Sequence, residues 1–326
     1  MNNGAKRIAV LSSGGDAPGT NACIRAIVRV AASEGVHVLG VLRGYQGLIE
    51  WKTLPLTQRT VGNIIQRGGT ILGTSRCPEF TTPEGRAIAA AKLLEAKVNG
   101  LIVLGGDGSL RGAVALSNEC GIPIIAVPAS IDNDMPGTEY TLGFDTAVNV
   151  ALEAIDRIRD TAESFERIFF VEVMGHTCGA IALEVGVAGG ADDVLVPEAP
   201  VDIDFLCEHL QKGFQHGRRS SIIVVAEGGE MGGAFGIAHQ VWTRLRCEYR
   251  VCVLGHIQRG GTPTARDRVM GSKFGALAVD TLLSGKSGLM VGEVAGRPHL
   301  TPLDEVLSGR RQIDSSLLEL TRRLTR

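Results

Sequence analysis

In the stretch LIVLGGDGS, residues 101–109, four apolar residues run directly into a turn that contains three glycines. A short apolar strand closed by glycine predicts a strand, a loop and a following helix. The same pattern recurs along the chain as IAVL before SSGGD (8–16), FFVEV before MGH (169–176), IIVVA before EGGE (222–230) and VCVL before GHIQRGG (251–261). This repetition predicts strands that alternate with helices.

Amphipathic helical patterns lie between the predicted strands. One helix is expected to begin with Thr82 as its cap and Pro83 as its first residue, and to end at Gly100. Another is expected to begin at Asp145. Strands that alternate with helices of this length predict right-handed crossovers and parallel sheets.

Two segments, RIAVLSSGG (7–15) and RIFFVEVMG (167–175), are weakly similar, and each opens a new α/β unit. Only 4% of the residues are aromatic and 43 of 326 are glycine, so the core must consist of aliphatic side chains joined by many tight turns. We therefore predict an α/β fold of two similar doubly wound, mainly parallel-sheet domains, with a junction near residues 143–150.

The composition also limits the partners and the compartment. The formal net charge is -2 with no long run of either sign, so bulk electrostatic binding to nucleic acid or to an anionic membrane is not expected. The seven cysteines include no CxxC pair, which argues against a disulfide framework or a zinc knuckle and favours a reducing cytoplasm. The first apolar run is too short for a signal peptide, and no stretch reaches membrane length.

Two glycine-rich loops carry the first chemical signal. In GGDGS (105–109) the glycines let backbone amides approach phosphate oxygens, the helix N-terminus favours negative charge, and Asp107 can hold Mg²⁺. A single turn of this kind fits equally well a tight strand-to-helix connection capped by an aspartate. SSGGDAPG (12–19) is a second such loop, and two loops on one sheet favour a polyphosphate nucleotide, although the chain has no GxxxxGK[ST] loop.

The segment IDND (131–134) places two carboxylates two residues apart after a buried strand. One carboxylate could take a proton from an attacking hydroxyl while the other keeps it ionised or touches a metal. An Asx turn also explains the segment. Taken alone, the segment favours the turn.

Seven motifs occur in a fixed order between residue 6 and about residue 310: SSGGDAPGTNACIR, IQRGGTILGTSRCPEF, GGDGS, PASIDNDMPGTEYTLGFDTA, VEVMGHTCG, AGGADD and GHIQRGGTP. Together they resemble the bacterial-type ATP-dependent 6-phosphofructokinases of glycolysis. The resemblance implies that, with Mg²⁺, the γ-phosphoryl group of ATP is transferred to the 1-hydroxyl of D-fructose 6-phosphate, giving fructose 1,6-bisphosphate and ADP. It also implies an allosteric homotetramer in the cytoplasm. Residues 1–142 with 257–326 would form a nucleotide-binding domain, and 143–256 a sugar-phosphate-binding domain.

The resemblance assigns roles to individual residues. Asp132 would accept the proton of the 1-hydroxyl, with Ser130 and Asp134 beside it. Arg76 would bridge the transferring phosphate and neutralise its charge. Asp107 would hold Mg²⁺. The residues that line the nucleotide site would be Gly15, Arg76, Cys77, Gly106, Asp107, Gly108 and Ser109.

Fructose 6-phosphate would be held by one subunit and by two arginines of a neighbour. Arg167 and Arg250 would reach in from the neighbouring subunit, because a guanidinium fork donates two hydrogen bonds to a phosphate. The residues contributed by the subunit itself would be Ser130, Ile131, Asp132, Met174, Gly175, His176, Glu227, His256 and Arg259.

An effector cleft for ADP and phosphoenolpyruvate is implied by the residues Arg25, Arg29, Arg159, Asp192, His216 and Arg218. Arg25 and Arg29 are four residues apart, so they lie on one face of a predicted helix. The chain departs from the family here, since Gln58 replaces an arginine, Arg59 an aromatic residue, and His216 a lysine. We therefore expect weaker or differently tuned regulation.

Two further departures concern the reaction. His176 stands where the family usually has arginine, so a titratable group replaces a permanent charge. Ala129 is too small to act as the lysine of pyrophosphate-dependent relatives, and Gly108, where those relatives tend to carry aspartate, favours ATP. A pyrophosphate-dependent phosphofructokinase and a catalytically silent, nucleotide-binding regulatory subunit remain alternatives. A silent subunit would be expected to have lost the residues proposed to act at the phosphoryl group, and all of them are present.

Overall fold

Helices and strands alternate along the computed structural model, which describes residues 6–229 and 231–324. The strands are β1 (Arg7–Ser12), β2 (His37–Val41), β3 (Thr53–Leu56), β4 (Gly100–Gly105), β5 (Ile124–Pro128), β6 (Ile168–Val173), β7 (Asp193–Leu195), β8 (Ser221–Ala226), β9 (Tyr249–Val253), β10 (Leu289–Val294) and β11 (Arg297–Pro302). The helices are α1 (Thr20–Ser33), α2 (Gly44–Ile49), α3 (Pro83–Glu95), α4 (Asp107–Cys120), α5 (Phe144–Phe165), α6 (Ala180–Ala188), α7 (Ile203–Gln215), α8 (Gly233–Leu245), α9 (Ala265–Leu283), α10 (Leu303–Ser308) and α11 (Ser315–Leu324). Short 3-10 helices cover Pro78–Thr81 and Gly255–Arg259.

The larger sheet has seven strands in the order β11-β10-β5-β4-β1-β2-β3. Its five central strands are parallel, and the antiparallel strands β3 and β11 form the two edges. Alternate residues of a strand serve opposite faces. Ile8 and Val10 pack in one apolar cluster, whereas Ala9 and Leu11 pack in another. Both faces are therefore buried, as the continuous apolar runs predict.

The smaller sheet has four parallel strands in the order β7-β8-β6-β9. Helices α7 and α8 cover one of its faces, where Leu206 and Ile237 belong to the same buried cluster as Phe170 and Ile223 of the sheet. The predicted α/β fold with mainly parallel sheets is confirmed. Among the described residues, no helix is both long and apolar enough to cross a membrane.

The chain divides into two compact units, residues 1–131, 135–146 and 259–311, and residues 132–134, 147–258 and 312–326. The crossings predicted from the sequence lie nearby, at 142/143 and 256/257. The C-terminal segment is expected in the first domain, but residues 312–324 lie in the second unit, because α11 packs on α6 and β7. Residues 1–5 and 325–326, which the domain bounds and the signal-peptide argument include, lie outside the described residues.

One predicted helix ends earlier than expected. Thr82 does cap α3, because its hydroxyl oxygen accepts a hydrogen bond from the Gly85 amide at 3.1 Å. The helix ends at Glu95, however, and Lys97 adopts a left-handed conformation with φ 54° that turns the chain. Gly100 is therefore the first residue of β4, not the end of the helix.

Candidate active site

The two glycine-rich loops lie side by side at the carboxyl end of the larger sheet. Strands β1 and β4 are parallel neighbours with Ser12 opposite Leu104, so the loops that follow them leave the sheet together. The Ser13 amide donates a hydrogen bond to the Leu104 carbonyl at 2.9 Å. In open α/β sheets this edge is where ligands bind. The parallel pairing therefore brings together the loops that the sequence analysis assigns to a nucleotide.

The N-terminus of α4 presents an open, glycine-lined surface. Gly106 caps the helix in an extended conformation, and a Cβ atom on Gly108 would meet no heavy atom within 4 Å. Gly105, by contrast, is closely packed, since a Cβ there would lie 2.6 Å from the Ser13 carbonyl oxygen. Amides in the first turn of a helix attract anions. The geometry suits a phosphate group next to Gly106 and Gly108.

A buried tyrosine holds this turn in place. The Tyr45 hydroxyl donates a hydrogen bond of 2.5 Å to the Ser109 carbonyl, and its ring stacks on Phe80 with the centroids 3.9 Å apart. Burial raises the pKa of Tyr45 far above its usual value, so the phenol remains a hydrogen-bond donor. Because Phe80 follows Arg76 and Cys77 closely, the stack also supports the segment that carries them.

The segment 74–77 is attached to the first glycine-rich loop. The Thr74 hydroxyl donates to the Gly14 carbonyl at 2.7 Å, and Arg76, two residues later, is exposed. Cys77 precedes a 3-10 helix and is half-buried, and desolvation raises the pKa of its thiol. The thiol is therefore a weak nucleophile, which suits a lining residue.

Arg259, predicted to bind the sugar phosphate, lies against the nucleotide loop. A Cβ atom on Gly15 would lie 1.7 Å from Nη1 of Arg259, so the glycine leaves room for the guanidinium. The Arg259 Nε atom is buried and has no hydrogen-bond partner among the described residues. The head group of this arginine is therefore placed for an anion at the loop.

Asp107 is the first residue of α4 and is half-exposed. Its carboxylate accepts two hydrogen bonds from Arg111, one turn further along the helix, at 2.8 Å and 3.1 Å. The described residues contain no group of three or more His, Cys, Asp or Glu side chains that could hold a metal. Mg²⁺ usually combines one or two carboxylates with substrate phosphates. A single aspartate beside a surface suited to phosphate groups therefore fits a Mg²⁺ ion that binds together with a nucleotide.

The IDND segment follows β5, and the chain returns to the end of β5 at residues 141–142. The Thr141 hydroxyl donates to the Ser130 carbonyl at 2.5 Å, and the Leu142 amide donates to the Pro128 carbonyl at 2.9 Å. A Cβ on Gly106 would lie 3.8 Å from the Ser130 side chain, so Ser130 is next to the N-terminus of α4. Ile131 is buried, whereas Asp132 and Asp134 are half-buried.

Three loops meet at the carboxyl ends of β6, β8 and β9 in the second unit. One Glu227 carboxylate oxygen accepts hydrogen bonds from the amides of Gly175 and His176, at 3.2 Å and 2.8 Å. The fully buried Gln258 accepts a hydrogen bond from the Met174 amide at 2.8 Å. The exposed His176 adopts a left-handed conformation with φ 55°. Glu227 and Gln258 therefore fix the loop of residues 174–176.

Arg167 and Arg250 lie near the amino ends of β6 and β9, whereas the Glu227 loops follow the carboxyl ends of the strands. Arg167 immediately precedes β6, and Arg250 is the second residue of β9. Glu248 lies within reach of both, since one of its oxygens is 3.0 Å from Arg167 Nε and 3.8 Å from Arg250 Nη2. The two arginines are thus brought together, but β6 separates them from the Glu227 loops.

Four of the predicted effector residues belong to the second unit, where they are linked by contacts or by short separations in sequence. Arg159 donates to the Gly189 and Gly190 carbonyls, and two residues later Asp192 pairs with Arg218 at 2.9 Å. His216 caps the end of α7, two residues before Arg218. The other two predicted residues, Arg25 and Arg29, belong to the first unit and share a face of α1.

The sequence profile described as Phosphofructokinase matches residues 7–282. The chain belongs to the phosphofructokinase family. A relative named ATP-dependent 6-phosphofructokinase 1, from Thermus thermophilus, is 57% identical over 316 residues, which cover 97% of this chain and 98% of that protein. The ATP-dependent 6-phosphofructokinase of Bacillus subtilis is 49% identical over 320 residues, covering 98% and 99% of the two chains.

Solved structures place the fold in the same family. The phosphofructokinase of Saccharomyces cerevisiae matches with a TM-score of 0.89 at 35% identity, and the match covers 93% of this chain and 45% of the yeast chain. This chain therefore spans about half the length of that relative. A pyrophosphate-dependent phosphofructokinase from Marinobacter aquaeolei, 22% identical, shares the fold with a TM-score of 0.84 over 98% of this chain and 91% of its own.

Several residues that shape this phosphofructokinase site are absent from the sequence predictions. Tyr45 contacts Ser109, Glu248 contacts Arg167 and Gln258 contacts Met174, each at least 64 positions away in sequence, so no local pattern indicates these contacts. Gln258 is part of the quoted GHIQRGG motif, but its role as a buried acceptor depends on the fold. Arg111 could have been found, because an arginine four residues after an aspartate on a helix predicts an ion pair.

Proposed function

We propose that this chain transfers the γ-phosphoryl group of ATP to the 1-hydroxyl of D-fructose 6-phosphate, a step of glycolysis. The observation that carries the proposal is the open N-terminus of α4, lined by Gly106 and Gly108 and adjoined by Ser130, in a member of the phosphofructokinase family. Relatives that match almost the whole chain are named ATP-dependent 6-phosphofructokinases, which supports ATP over pyrophosphate as the donor.

On the donor side, backbone amides at the start of α4 would bind the phosphates, and the neighbouring glycines leave space for them. Arg76 would neutralise charge on the transferring group, and Asp107 would hold Mg²⁺, which supplies further charge neutralisation when bound. The proposed lining of the nucleotide site consists of Gly15, Cys77, Gly106, Gly108 and Ser109.

On the acceptor side, Asp132 would act as the general base. It accepts the proton of the 1-hydroxyl while that oxygen attacks the γ-phosphorus, and the bond to the β,γ-bridging oxygen breaks, so ADP leaves. Ser130 lies two residues before the base in sequence and Asp134 two residues after it. The products are fructose 1,6-bisphosphate, ADP and one proton.

The sugar phosphate would be held at the loops fixed by Glu227 and Gln258, through backbone and side chains of residues 174–176 and through His256 and Arg259. In their own chain, Arg167 directly precedes β6 and Arg250 pairs with Phe169 near the start of β6, so both lie toward the end of the strands that is remote from these loops. A six-residue strand such as β6 spans about 20 Å, which is much longer than an arginine side chain. We therefore propose that both arginines serve the site of a neighbouring copy.

This arrangement requires an oligomer, and we propose a cytoplasmic homotetramer. The residues proposed to bind an effector are Arg159, Asp192, His216 and Arg218 in the second unit, and Arg25 and Arg29 on α1 in the first unit. Since Asp192 already pairs with Arg218, part of the positive charge there is neutralised. This supports weak binding of an anionic effector.

A coupled assay tests the proposed reaction. Purified protein receives fructose 6-phosphate and Mg²⁺ with ATP in one reaction and pyrophosphate in another, and formation of fructose 1,6-bisphosphate is followed. We expect turnover with ATP and little or none with pyrophosphate. Faster turnover with pyrophosphate would show that the donor is wrong, and no turnover with either donor would favour a regulatory subunit.

A further inference from the structure

The carboxylate proposed to hold Mg²⁺ is already occupied by a side chain of its own helix. Arg111 donates from Nε to one Asp107 oxygen at 2.8 Å and from Nη2 to the other at 3.1 Å. Its Nη2 also donates to the Leu307 carbonyl at 2.9 Å, at the end of α10. Three hydrogen bonds therefore fix the guanidinium over both carboxylate oxygens.

The three contacts distinguish this pair from an ordinary surface ion pair on a helix. Arg157 and Glu153 on α5 have the same spacing of four residues, but they are more exposed and are joined by one contact, from Nη2 to a single oxygen. An arginine fork that engages both oxygens is pre-organised, and less side-chain freedom is lost for each bond. The backbone anchor on Leu307 restrains the guanidinium further.

A divalent cation at Asp107 would need at least one of the two oxygens that the Arg111 guanidinium already engages. Binding of the cation must either displace the guanidinium or leave a positive charge beside it, and both cost free energy. We propose that Arg111 is a positioning residue that competes with Mg²⁺ for Asp107 and so sets the affinity of the site for the metal-loaded nucleotide. This inference rests on the proposed role of Asp107 in binding Mg²⁺.

The test measures binding without turnover. Isothermal titration calorimetry gives the dissociation constant of the non-hydrolysable analogue AMP-PNP, once with excess Mg²⁺ and once with EDTA. We expect Arg111→Gln to tighten binding of Mg²⁺-AMP-PNP three- to tenfold, the range for removal of an exposed ion pair and a nearby positive charge. Metal-free AMP-PNP should bind no more tightly than to the parent. Arg157→Gln, the matched control, should change neither constant.

Two further variants separate this inference from the proposed function. Arg111→Lys keeps the charge but loses the fork, so its affinity for Mg²⁺-AMP-PNP should lie between those of the parent and Arg111→Gln. Asp107→Asn should remove most of the difference between the dissociation constants of AMP-PNP measured with Mg²⁺ and with EDTA. If Asp107→Asn removes this difference but Arg111→Gln binds Mg²⁺-AMP-PNP no more tightly than the parent, the proposal that Arg111 competes with Mg²⁺ is wrong. If Asp107→Asn leaves the difference intact, the metal role of Asp107 is wrong and the inference with it.

Discussion

Asp132 is the residue whose proposed role separates most cleanly from binding. An asparagine there has nearly the same shape but cannot accept the hydroxyl proton, so kcat should fall by about 10²- to 10⁴-fold while both substrates still bind. Steady-state kinetics at saturating ATP and fructose 6-phosphate, with calorimetry of fructose 6-phosphate binding, measure the two effects. Asp134→Asn is the matched control and should lower kcat less. A near-parental kcat in Asp132→Asn would exclude it as the base.

Gly108 offers a test of the proposed phosphate position at the start of α4. No heavy atom lies within 4 Å of a Cβ at this position, so Gly108→Ala and Gly108→Asp should both fold with nearly parental thermal stability. The carboxylate of Gly108→Asp would face phosphates of like charge, and each such pair costs about 1 kcal/mol at 4 Å even in water. The KM for ATP should rise at least fivefold in Gly108→Asp but little in Gly108→Ala. Equal KM values for both variants would contradict a phosphate at this turn.

At the scale of single residues, the sequence indicates the groups proposed to contact ligands, but not the residues that hold those groups in place. GGDGS and IDND are contiguous, so each can be recognised from one short stretch. Glu227 is recognisable in the same way, but its contacts with the Gly175 and His176 amides depend on how β6 and β8 align. Glu248 between two arginines also follows only from the pairing of β6 with β9.

Strands and helices follow from pattern, but their ends follow from local backbone geometry. The apolar runs predict β4 and β8 to within a residue, since a strand buried on both faces must be continuously apolar. The end of α3 depends instead on Lys97 in a left-handed conformation, which few residue types other than glycine and asparagine favour. The edge strands β3 and β11 contain or end in proline and carry exposed residues, so apolar pattern does not indicate them.

The first turn of α9 anchors the start of α5 through one buried carboxylate. Asp267 is fully buried and accepts hydrogen bonds from the Gly143 amide at 2.9 Å, the Thr146 amide at 2.9 Å and the Thr146 hydroxyl at 2.5 Å. All three partners are donors. Burial raises the pKa of Asp267 above its ordinary value, although the hydrogen bonds from Thr146 and Gly143 oppose the rise.

Asp267→Asn should therefore destabilise the protein. The amide NH₂ would face a backbone donor, and one unsatisfied buried group costs about 1 to 3 kcal/mol. Because the folded pKa is raised, the carboxyl group stabilises most below its unfolded pKa, and this contribution falls as pH rises to the folded pKa. The stability difference between parent and variant should thus shrink as pH rises above 4. Urea unfolding across that range measures it, with the exposed Asp280→Asn on the same helix as control; a difference that grows with pH would contradict the assignment.

At the scale of the whole molecule, composition and strand–helix alternation predict the α/β architecture, but the grouping of the C-terminal segment does not follow from them. Residues 312–324 come directly after residues of the first unit, and no linker composition marks the change. Their place is decided by where α11 packs, on α6 and β7. Contacts between elements far apart in sequence carry no local signal.

Mixing variants tests the proposal that Arg167 and Arg250 serve the sugar-phosphate site of a neighbouring copy. Arg167→Ala should raise the KM for fructose 6-phosphate, since a charge-assisted contact contributes roughly 1.5 to 3 kcal/mol, and leave ATP binding unchanged. Asp132→Asn should have a kcat at least about 100-fold below that of the parent. Dissociated and reassembled together, the two variants form mixed oligomers in which some sites combine an intact Asp132 from one copy with an intact Arg167 from another. Activity at low fructose 6-phosphate should therefore exceed the sum of the separate variants. No gain, in oligomers shown by mass spectrometry to be mixed, would mean that each copy uses its own arginines.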